Sequence, residues 1–366
     1  MIRREHNKDI TSLNTFGIRT SCAAYIEYDS PEDLLCIDWD NLAGPVLSVG
    51  KGSNLLFTAP FPGTVLHSAI KGIELLGGRS VGDIVYVHCG AAVIFDDFCA
   101  WAAGKELWGV ENLSAIPGTV GASAVQNIGA YGVEAADVID SVECFRIADR
   151  KFVSFNAAEC DFGYRDSFFK HHRGEYVVVG VVFRLTSLFS PVLSYGHLKE
   201  EVERNAEILP PNADPYGPLY SSSPSSILPV TPRLVRDTVK VMREEKLPDP
   251  SKVGSAGSFF KNPVVSADLY DRAAALVRSE RGEDAQLPHF DLEGGLVKIP
   301  AAFLIDFCGF KGVRCGDAGV WPKQALVLVN ATGRATAEEI LHLEENIKNT
   351  VRERFGIELE PEVDHI

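Results

Sequence analysis

The sequence ENLSAIPGTVGASAVQNIGAYG, from Glu111 to Gly132, decides how this 366-residue chain is interpreted. We call it the glycine segment, because it contains four glycines and almost no bulky side chain follows Pro117. Glycine lets one backbone come close to another backbone or to a large flat ligand. A packed internal loop is one interpretation. The favoured interpretation is a long loop around a cofactor, with Gln126, Asn127 and Tyr131 as polar contacts.

A second glycine-containing turn, VGKGSNLL, runs from Val49 to Leu56 after a short strand-like sequence. Its consecutive N–H groups are suited to binding an anion. The turn does not match the dinucleotide-binding pattern GxGxxG, because Leu55 stands where the third glycine is required. Taken alone, this motif favours an ordinary β-turn.

A third motif, FGYRDSFFK from Phe162 to Lys170, contains a single arginine among aromatic residues. The guanidinium group of Arg165 is always charged and has a rigid fork of donors that suits carboxylates and other oxyanions. Taken alone, Arg165 could equally form a structural pair with Asp166.

Two short sequences near the C-terminus contain further polar candidates: GSAGSFFKNP at residues 254–263 and LEPEV at residues 359–363. Ser258 is not in a nucleophile elbow of the type Gly-x-Ser-x-Gly, because Phe260 stands where the second glycine is needed. By themselves, Ser258 could simply cap a turn and Glu362 could be a surface carboxylate.

Strand-like and helix-like sequences alternate along the chain, which is typical of an α/β or α+β protein. Strands are predicted at residues 22–28, 45–50, 64–68, 84–90, 138–147, 176–185 and 325–330. Helices are predicted around residues 95–101, from Pro232 to just before Pro248, after Ser266, around residues 303–307, and from the capping pair Thr336 and Glu339 to Gly356. Residues 116–132 are predicted to be a loop, and residues 205–230, rich in Pro, Ser and Asn, an irregular surface insertion.

Composition limits the partners of the protein. The 35 basic and 50 acidic residues give a formal net charge of −15, which opposes nonspecific binding to nucleic acid or to an anionic membrane. No uninterrupted apolar run approaches the roughly 18 residues of a membrane span, and the N-terminal sequence lacks a secretory h-region, so a cytoplasmic protein is expected. The eight cysteines include no CxxC pair. They predict reduced, mostly buried thiols and no metal site.

Taken together and in this order, the motifs resemble the UDP-N-acetylenolpyruvoylglucosamine reductase family, over nearly the whole chain from NTFGI at residues 14–18 to the final PEV. The segment FGYRDSFFK and the sequence LSYGHL at residues 193–198 resemble the longer, type I form of this family. The resemblance implies an α+β protein with a two-subdomain FAD-binding fold of the vanillyl-alcohol-oxidase (PCMH) class, followed by an α+β substrate-binding domain. The implied divisions are residues 1–71, to which the tail 356–366 returns, residues 72–247 and residues 248–355.

The resemblance also implies a cofactor, a reductant and a substrate. FAD would be bound without covalent attachment, NADPH would reduce it, and UDP-N-acetylglucosamine enolpyruvate would then accept hydride at its methylene carbon; no obligate protein partner is implied. The implied FAD contacts are Gly50, Gly52, Ser53, Asn54, Leu55, Ile116, Pro117, Gly118, Gly121, Gln126, Asn127, Gly129, Tyr131 and Gly132.

The family's catalytic positions match Arg165, Ser258 and Glu362. A cation and hydrogen-bond donors stabilise the charge that develops on an enolate-like intermediate, and Ser258 would protonate the carbanion. The substrate-binding positions match Tyr195, Lys246, Asn262 and Gln324, with Lys298 and Lys311 as weaker matches. The 205–230 insertion has no recognised counterpart, and Phe290 replaces a hydroxylated aromatic residue of some relatives.

Two other interpretations stay open on the sequence alone. The chain could be another FAD oxidoreductase of the same fold that acts on a different substrate, because a fold does not set the substrate. It could also be a nucleotide-binding module without enzymatic activity.

Overall fold

The computed structural model describes residues 1–208 and 230–366; most of the predicted insertion at residues 205–230 lies outside the described residues. Within them the chain forms twenty strands and eight α-helices. The strands are β1 (Arg3–Asp9), β2 (Ser21–Tyr28), β3 (Val46–Val49), β4 (Leu55–Leu56), β5 (Phe61–Ser68), β6 (Ile73–Leu75), β7 (Ile84–Gly90), β8 (Gly129–Ala130), β9 (Val133–Glu134), β10 (Ile139–Arg146), β11 (Lys151–Asn156), β12 (Tyr176–Thr186), β13 (Gly254–Ser255), β14 (Val264–Ser266), β15 (Phe290–Leu292), β16 (Leu296–Lys298), β17 (Arg314–Cys315), β18 (Ala318–Val320), β19 (Leu328–Asn330) and β20 (Asp364–His365). The α-helices are α1 (Phe95–Gly104), α2 (Val120–Gln126), α3 (Phe168–His171), α4 (Leu198–Ile208), α5 (Pro232–Lys246), α6 (Ala267–Arg281), α7 (Ala301–Phe307) and α8 (Ala337–Phe355).

The chain divides into two compact units, each built from several stretches of sequence. The first unit comprises Met1–Glu5, Tyr25–Gly50 and Gly63–Arg243, and the second comprises His6–Ala24, Lys51–Pro62 and Glu244–Ile366. The three-part division at residues 71 and 247 describes the chain in another way and stays a prediction.

The first unit is built around an antiparallel sheet with the order β11–β10–β12–β7–β6. Its three longest strands agree with the predictions for residues 84–90, 138–147 and 176–185. β12 is apolar on both faces, as expected for a strand in the interior of a sheet, and Val181 and Phe183 are completely buried. Phe98 of the predicted amphipathic helix α1 packs its ring 4.5 Å from that of Phe183.

The prediction of one uninterrupted loop over residues 116–132 is wrong, because α2 occupies Val120 to Gln126. The side chain of Thr119 accepts a hydrogen bond from the N–H of Ala122, which caps the helix N-terminus. Small residues do not prevent helix formation, and alanine favours it. The helix ends at Asn127, whose backbone is left-handed with φ 44°.

The second unit contains the sheets β13–β19–β18–β17 and β14–β16–β15 with helices packed on them. Its longest helix, α8, has the predicted reciprocal cap between Thr336 and Glu339, and it ends at Gly356 with φ 69°. Ile340, Leu343, Ile347 and Val351 are buried along the predicted apolar face of α8. At the C-terminus, β20 pairs in parallel with β4.

Helix α5 also forms as predicted. It begins at Pro232, the hydroxyl of Thr231 accepts a hydrogen bond from the N–H of Leu234, and the helix ends at Lys246, two residues before Pro248. All eight cysteines are free, and five of them are buried. Residues 1–208 and 230–366 contain no group of three or more His, Cys, Asp or Glu side chains that could hold a metal ion, and no helix among them is long and apolar enough to cross a membrane.

Candidate cofactor and catalytic site

The glycine segment begins in a 3-10 turn at Glu111–Leu113 and continues through α2 to the hairpin of β8 and β9. The side chain of Asn127 fixes the centre of this path. Its amide nitrogen donates to Oε2 of Glu134 (2.9 Å) and to the carbonyl of Gly163 (2.8 Å), and its amide oxygen accepts from the N–H of Ala136 (2.9 Å). Because both polar atoms of its amide have protein partners, Asn127 would contribute to a cofactor site chiefly by shaping the backbone.

Arg165 lies against the same segment, in the first unit. Its guanidinium group donates to the carbonyls of Gly129 (2.6 Å) and Asn127 (3.4 Å) and lies 3.8 Å from a carboxylate oxygen of Glu134. Its backbone is left-handed, with φ 55°. A carboxylate oxygen of Asp166 lies 2.7 Å from Nε2 of His171. These contacts attach Arg165 to the glycine segment, where a fixed cation is well placed to bind an anion.

Glycine is required in this segment for packing as well as for backbone freedom. A Cβ atom on Gly129 would lie 2.7 Å from Nη1 of Arg165 and 2.9 Å from Cγ of Glu134. Gly132 has φ 82°, a conformation that favours glycine, and a Cβ there would lie 3.4 Å from Cβ of Tyr195. These contacts show that the segment is packed closely against its neighbours at Gly129 and Gly132, which is the first of the two interpretations that the sequence left open. Such packing is compatible with a cofactor on the other side of the backbone.

One buried polar atom of the glycine segment fits a polar ligand. Nε2 of Gln126 has no hydrogen-bond partner among the described residues. A buried polar atom left without a partner costs about 1–3 kcal/mol, so such atoms are commonly explained by a ligand. The residues present therefore fit a large cofactor with hydrogen-bonding groups, such as FAD.

Two ionisable groups of this segment, Glu111 and Tyr131, lie in buried surroundings that favour their neutral forms. Burial raises the pKa of the Glu111 carboxyl group, although the N–H of Gly109, which donates to it at 2.7 Å, acts in the opposite direction. Burial also raises the pKa of Tyr131, so its phenol is neutral at physiological pH.

The turn at residues 49–56 is divided between the two units after Gly50. In the first unit, a Cβ on Gly50 would lie 2.6 Å from Oγ1 of Thr119, the cap of α2. In the second unit, Gly52 has φ 60° and a Cβ there would overlap the carbonyl of Leu13. The absence of a side chain at both glycines thus has a packing reason.

In the second unit, Ser258 and Glu362 lie on paired backbone segments. The carbonyl of Phe259 accepts from the N–H of Glu362 (2.8 Å), and the N–H of Lys261 donates to the carbonyl of Glu360 (2.9 Å). The side chain of Asn54 donates to the carbonyl of Glu362 at 3.0 Å. A backbone hydrogen bond therefore holds Glu362 beside Phe259, the neighbour of Ser258, although Ser258 and Glu362 are 104 positions apart in the sequence, and the side chain of Asn54 binds the same segment.

Ser258 itself is half-buried, and its hydroxyl group makes no hydrogen bond to any described residue. Serine hydroxyls in proteins usually find a backbone or side-chain acceptor. The expectation that this serine merely caps a turn therefore has no hydrogen bond to support it.

The predicted substrate-binding residues lie in both units. Tyr195, in the first unit, is 47% exposed, and its ring meets that of Tyr131 edge-on at 6.1 Å. In the second unit, Lys246 has an exposed side chain at the end of α5. The side-chain oxygen of Asn262 accepts from the N–H of Ala301 at the start of α7 (2.9 Å).

The remaining candidates are also in the second unit. The side-chain oxygen of Gln324 accepts from the N–H of Leu326 at 3.4 Å, within a turn. Lys311 lies 3.4 Å from Asp306, Lys298 is half-buried in β16, and Phe290 in β15 is 49% exposed.

Sequence reasoning missed several residues that hold the glycine segment in place. Asp96 of α1 accepts from the N–H of Ala115 (2.8 Å) and from Arg236 of α5 (3.0 Å). Arg243 of α5 donates to the carbonyl of Ala115 (3.3 Å). The only sequence signal was the presence of two arginines on the polar side of a predicted amphipathic helix, which is ordinarily the solvated side.

Comparisons with known proteins show which protein families this chain is similar to. A family model described as "FAD binding domain" matches residues 39–155, and one described as "UDP-N-acetylenolpyruvoylglucosamine reductase, C-terminal domain" matches residues 249–366. The UDP-N-acetylenolpyruvoylglucosamine reductase of Bacteroides fragilis is 41% identical over 99% of this chain and 100% of its own length. That of Chromobacterium violaceum is 43% identical over 97% of this chain and 96% of its own.

A crystal structure of the reductase of Thermus caldophilus resembles the whole fold, with a TM-score of 0.62 at 22% identity, covering 100% of this chain and 98% of the other. This likeness and the FAD-binding model confirm the predicted class of FAD-binding fold with mixed helices and strands. With more than 40% identity to full-length relatives, the chain belongs to the UDP-N-acetylenolpyruvoylglucosamine reductase family.

Proposed function

We propose that this protein uses NADPH and FAD to reduce UDP-N-acetylglucosamine enolpyruvate to UDP-N-acetylmuramate, a precursor of peptidoglycan. The observation that carries the proposal is the 41% identity to a named reductase along 99% of the chain. The reaction adds a hydride and a proton across one carbon–carbon double bond. The cytoplasm, where free cysteines stay reduced, is the proposed location.

FAD, when bound, would supply the hydride-transfer chemistry that links NADPH to the methylene carbon of the substrate. The glycine segment and the turn at residues 50–55 would hold the cofactor. Support comes from the buried, unpartnered Nε2 of Gln126 and from the backbone conformation at Gly132. The proposed FAD contacts are those named from the sequence: Gly50, Gly52, Ser53, Asn54, Leu55, Ile116, Pro117, Gly118, Gly121, Gln126, Asn127, Gly129, Tyr131 and Gly132.

Arg165 would bind the carboxylate of the enolpyruvyl group. When hydride adds to the methylene carbon, negative charge develops on the adjacent carbon and is delocalised into that carboxylate. A permanent cation stabilises this charge without having to move, provided that it is already oriented. The carbonyls of Gly129 and Asn127 orient Arg165 in this way.

Ser258 would supply the proton. The Oγ–H bond breaks, the new C–H bond forms at the carbon that carries the negative charge, and the serine oxygen recovers a proton from solvent. Serine is a weak acid, but a carbanion is a strong base and a positioned donor is effective. An Oγ–H that no described residue holds is compatible with this role, and Glu362 on the neighbouring backbone segment is proposed to assist it.

Tyr195, Lys246, Asn262 and Gln324 are proposed to bind the sugar, diphosphate and uridine parts of the substrate. Among them, Tyr195 has the clearest support, because its side chain is half exposed and lies beside Tyr131 of the glycine segment.

The test uses the purified protein in the absence of oxygen. We expect a yellow protein whose visible flavin absorbance bleaches with NADPH and returns when UDP-N-acetylglucosamine enolpyruvate is added, with a product two hydrogen atoms heavier than the substrate. A colourless protein would favour a nucleotide-binding module without flavin. Reduced flavin that the enolpyruvyl substrate fails to reoxidise would favour an oxidoreductase with another substrate.

A further inference from the structure

The side chain of Asn112 joins two segments that the proposed function uses for different purposes. Asn112 is completely buried in the 3-10 turn Glu111–Leu113. Its amide nitrogen donates to the carbonyl of Tyr131 at 2.8 Å and to the carbonyl of Val192 at 2.8 Å. Tyr131 belongs to the glycine segment, and Val192 belongs to the connection between β12 and α4, residues 187–197, which we call the Tyr195 loop.

The geometry of these two bonds determines the orientation of the amide. An asparagine nitrogen carries two hydrogens, and each of them is matched here to one backbone carbonyl. The opposite orientation would place the amide oxygen against two carbonyl oxygens. The turn that carries Asn112 is itself held in place: the hydroxyl of Ser114 donates to the carbonyl of Glu111 at 2.7 Å, and the carboxyl of Glu111 accepts from the N–H of Gly109. A fixed donor therefore determines the separation of the two segments.

Tyr195, in the Tyr195 loop, lies directly against the glycine segment. Its ring meets that of Tyr131 edge-on with the centroids 6.1 Å apart, and a Cβ atom on Gly132 would lie only 3.4 Å from Cβ of Tyr195. By contrast, the Tyr195 loop has exposed side chains at Leu188 (57%) and Phe189 (69%). A loop so exposed on one side depends strongly on its few buried polar contacts for a fixed position.

We infer that Asn112 is a positioning residue for substrate binding, because it holds the Tyr195 loop against the glycine segment. The segment that is proposed to bind the flavin would thereby also fix the position in which Tyr195 binds the UDP sugar. This inference rests on the proposed function for the identity of the substrate. It assigns Asn112 no contact with the reacting atoms.

The test is the substitution Asn112→Asp, which keeps the shape of the side chain but removes both donated hydrogen bonds. We expect the KM for UDP-N-acetylglucosamine enolpyruvate to rise about tenfold or more, the scale on which two buried hydrogen bonds matter. Flavin reduction by NADPH should change by less than about twofold, because it does not use the Tyr195 loop. Asn205→Asp, which alters a hydrogen bond to Thr238 in the same unit, is the matched control and should leave both values close to those of the parent.

Hydrogen exchange provides a readout that needs no substrate. In Asn112→Asp, amide exchange should become faster in residues 187–197 and stay unchanged in the distant strands β10 and β11. Equal acceleration throughout the first unit, or an unchanged KM, would overturn the inference. If the aspartate variant does not fold, Asn112→Ser removes the same pair of contacts without a charge, and the same outcomes apply.

A double substitution separates this inference from a general loss of structure. If Asn112 acts through Tyr195, then Asn112→Asp combined with Tyr195→Phe should raise the KM no further than Asn112→Asp alone. Independent, multiplying effects would contradict the inference. Failure of the parent protein itself to reduce the enolpyruvyl substrate would instead contradict the proposed function. In that case the hydrogen-exchange result alone would test whether Asn112 holds the Tyr195 loop in place.

Discussion

The glycine segment of the first unit and the serine segment of the second unit (residues 254–263) are both rich in glycine and small polar residues, but they are built differently. In the glycine segment, the side chain of Asn127 donates to the carbonyl of Gly163, and Arg165, from outside the segment, donates to the carbonyls of Asn127 and Gly129; these bonds fix one conformation. In the serine segment, the backbone is paired with the chain's C-terminal residues, while the hydroxyl of Ser258 has no partner among the described residues.

This difference corresponds to two chemical tasks. A resident cofactor requires a surface that is formed before the ligand binds, because the cost of ordering the site would otherwise reduce affinity. A proton donor requires a fixed backbone and a hydroxyl that is available to the reacting carbon. We therefore expect substitutions at the glycines of the glycine segment to affect the cofactor and both half-reactions, and substitutions at Ser258 to affect only the second.

The largest expected effect comes from Gly129→Val, which should give a folded protein with little or no bound flavin. The valine Cβ would lie within 3 Å of Arg165 and Glu134 and would displace the backbone that is proposed to approach the cofactor. Flavin absorbance per mole of protein and circular dichroism measure the two properties separately.

Gly104→Val is the control for this substitution, because a Cβ on Gly104 at the end of α1 meets nothing within 4 Å. It should keep the parental flavin content. Full flavin content in Gly129→Val would show that the glycine segment does not hold the cofactor, and it would remove the contrast between the two segments.

A smaller and more selective effect is expected for Tyr195→Phe. Loss of the hydroxyl that is proposed to hydrogen-bond the substrate should raise the KM for the UDP sugar by about five- to tenfold, while flavin reduction by NADPH stays close to the parental rate. Steady-state kinetics and anaerobic reduction give the two values. Equal losses in both half-reactions, or no loss, would mean that Tyr195 does not serve substrate binding.

The smallest expected effect is on the thermal stability of the fold, and it concerns an ion pair outside both segments. His88 of β7 and Glu143 of β10 lie 3.1 Å apart across β12, where Gly180 leaves them room because its Cβ would lie 2.5 Å from Nε2 of His88. Their hydrogen bond raises the pKa of His88 above 6.5, with Glu74 adding a smaller effect in the same direction, and lowers the pKa of Glu143 below 4.5.

Both groups are charged between these two values, so the pair should stabilise the fold most between about pH 4.5 and 6.5. The contribution should be lost as the pH rises through the raised pKa of His88, and also as it falls through the lowered pKa of Glu143. Because both side chains are partly exposed, the effect should be small and reduced by salt. The difference in Tm between the parent and Glu143→Gln should therefore be larger at pH 5.5 than at pH 9; a difference that does not depend on pH would exclude this pair as its cause.

Elements with local signals were predictable from the sequence, and elements fixed by distant contacts were not. Helix α5 begins with Pro232, and helix α8 has the capping pair Thr336 and Glu339 and ends at Gly356. Each of these signals can be recognised within a few residues of sequence. Helix α2 was missed because its seven residues, four of them Gly, Ala or Ser, give no amphipathic period, although its cap at Thr119 was present.

The candidate site shows the same limit. The motifs that contain Arg165 and Ser258 were visible in the sequence, but their roles came from family resemblance and stay proposals. Asn112 gave no signal, because its two acceptors are 19 and 80 residues away in the sequence. The pairing of β20 with β4 likewise joins residues more than 300 positions apart, and no local pattern encodes such a contact.

The most direct test of the account is anaerobic stopped-flow measurement of both half-reactions in Ser258→Ala. The variant should bind FAD and be reduced by NADPH at nearly the parental rate, since that step needs no proton donor to carbon. Reoxidation by UDP-N-acetylglucosamine enolpyruvate should be slower by about 10² to 10⁴-fold, the usual cost of removing a positioned general acid, and Ser258→Cys should recover part of the rate. Normal reoxidation of Ser258→Ala would contradict the account and would leave Ser258 as a turn residue, with the proton coming from another group.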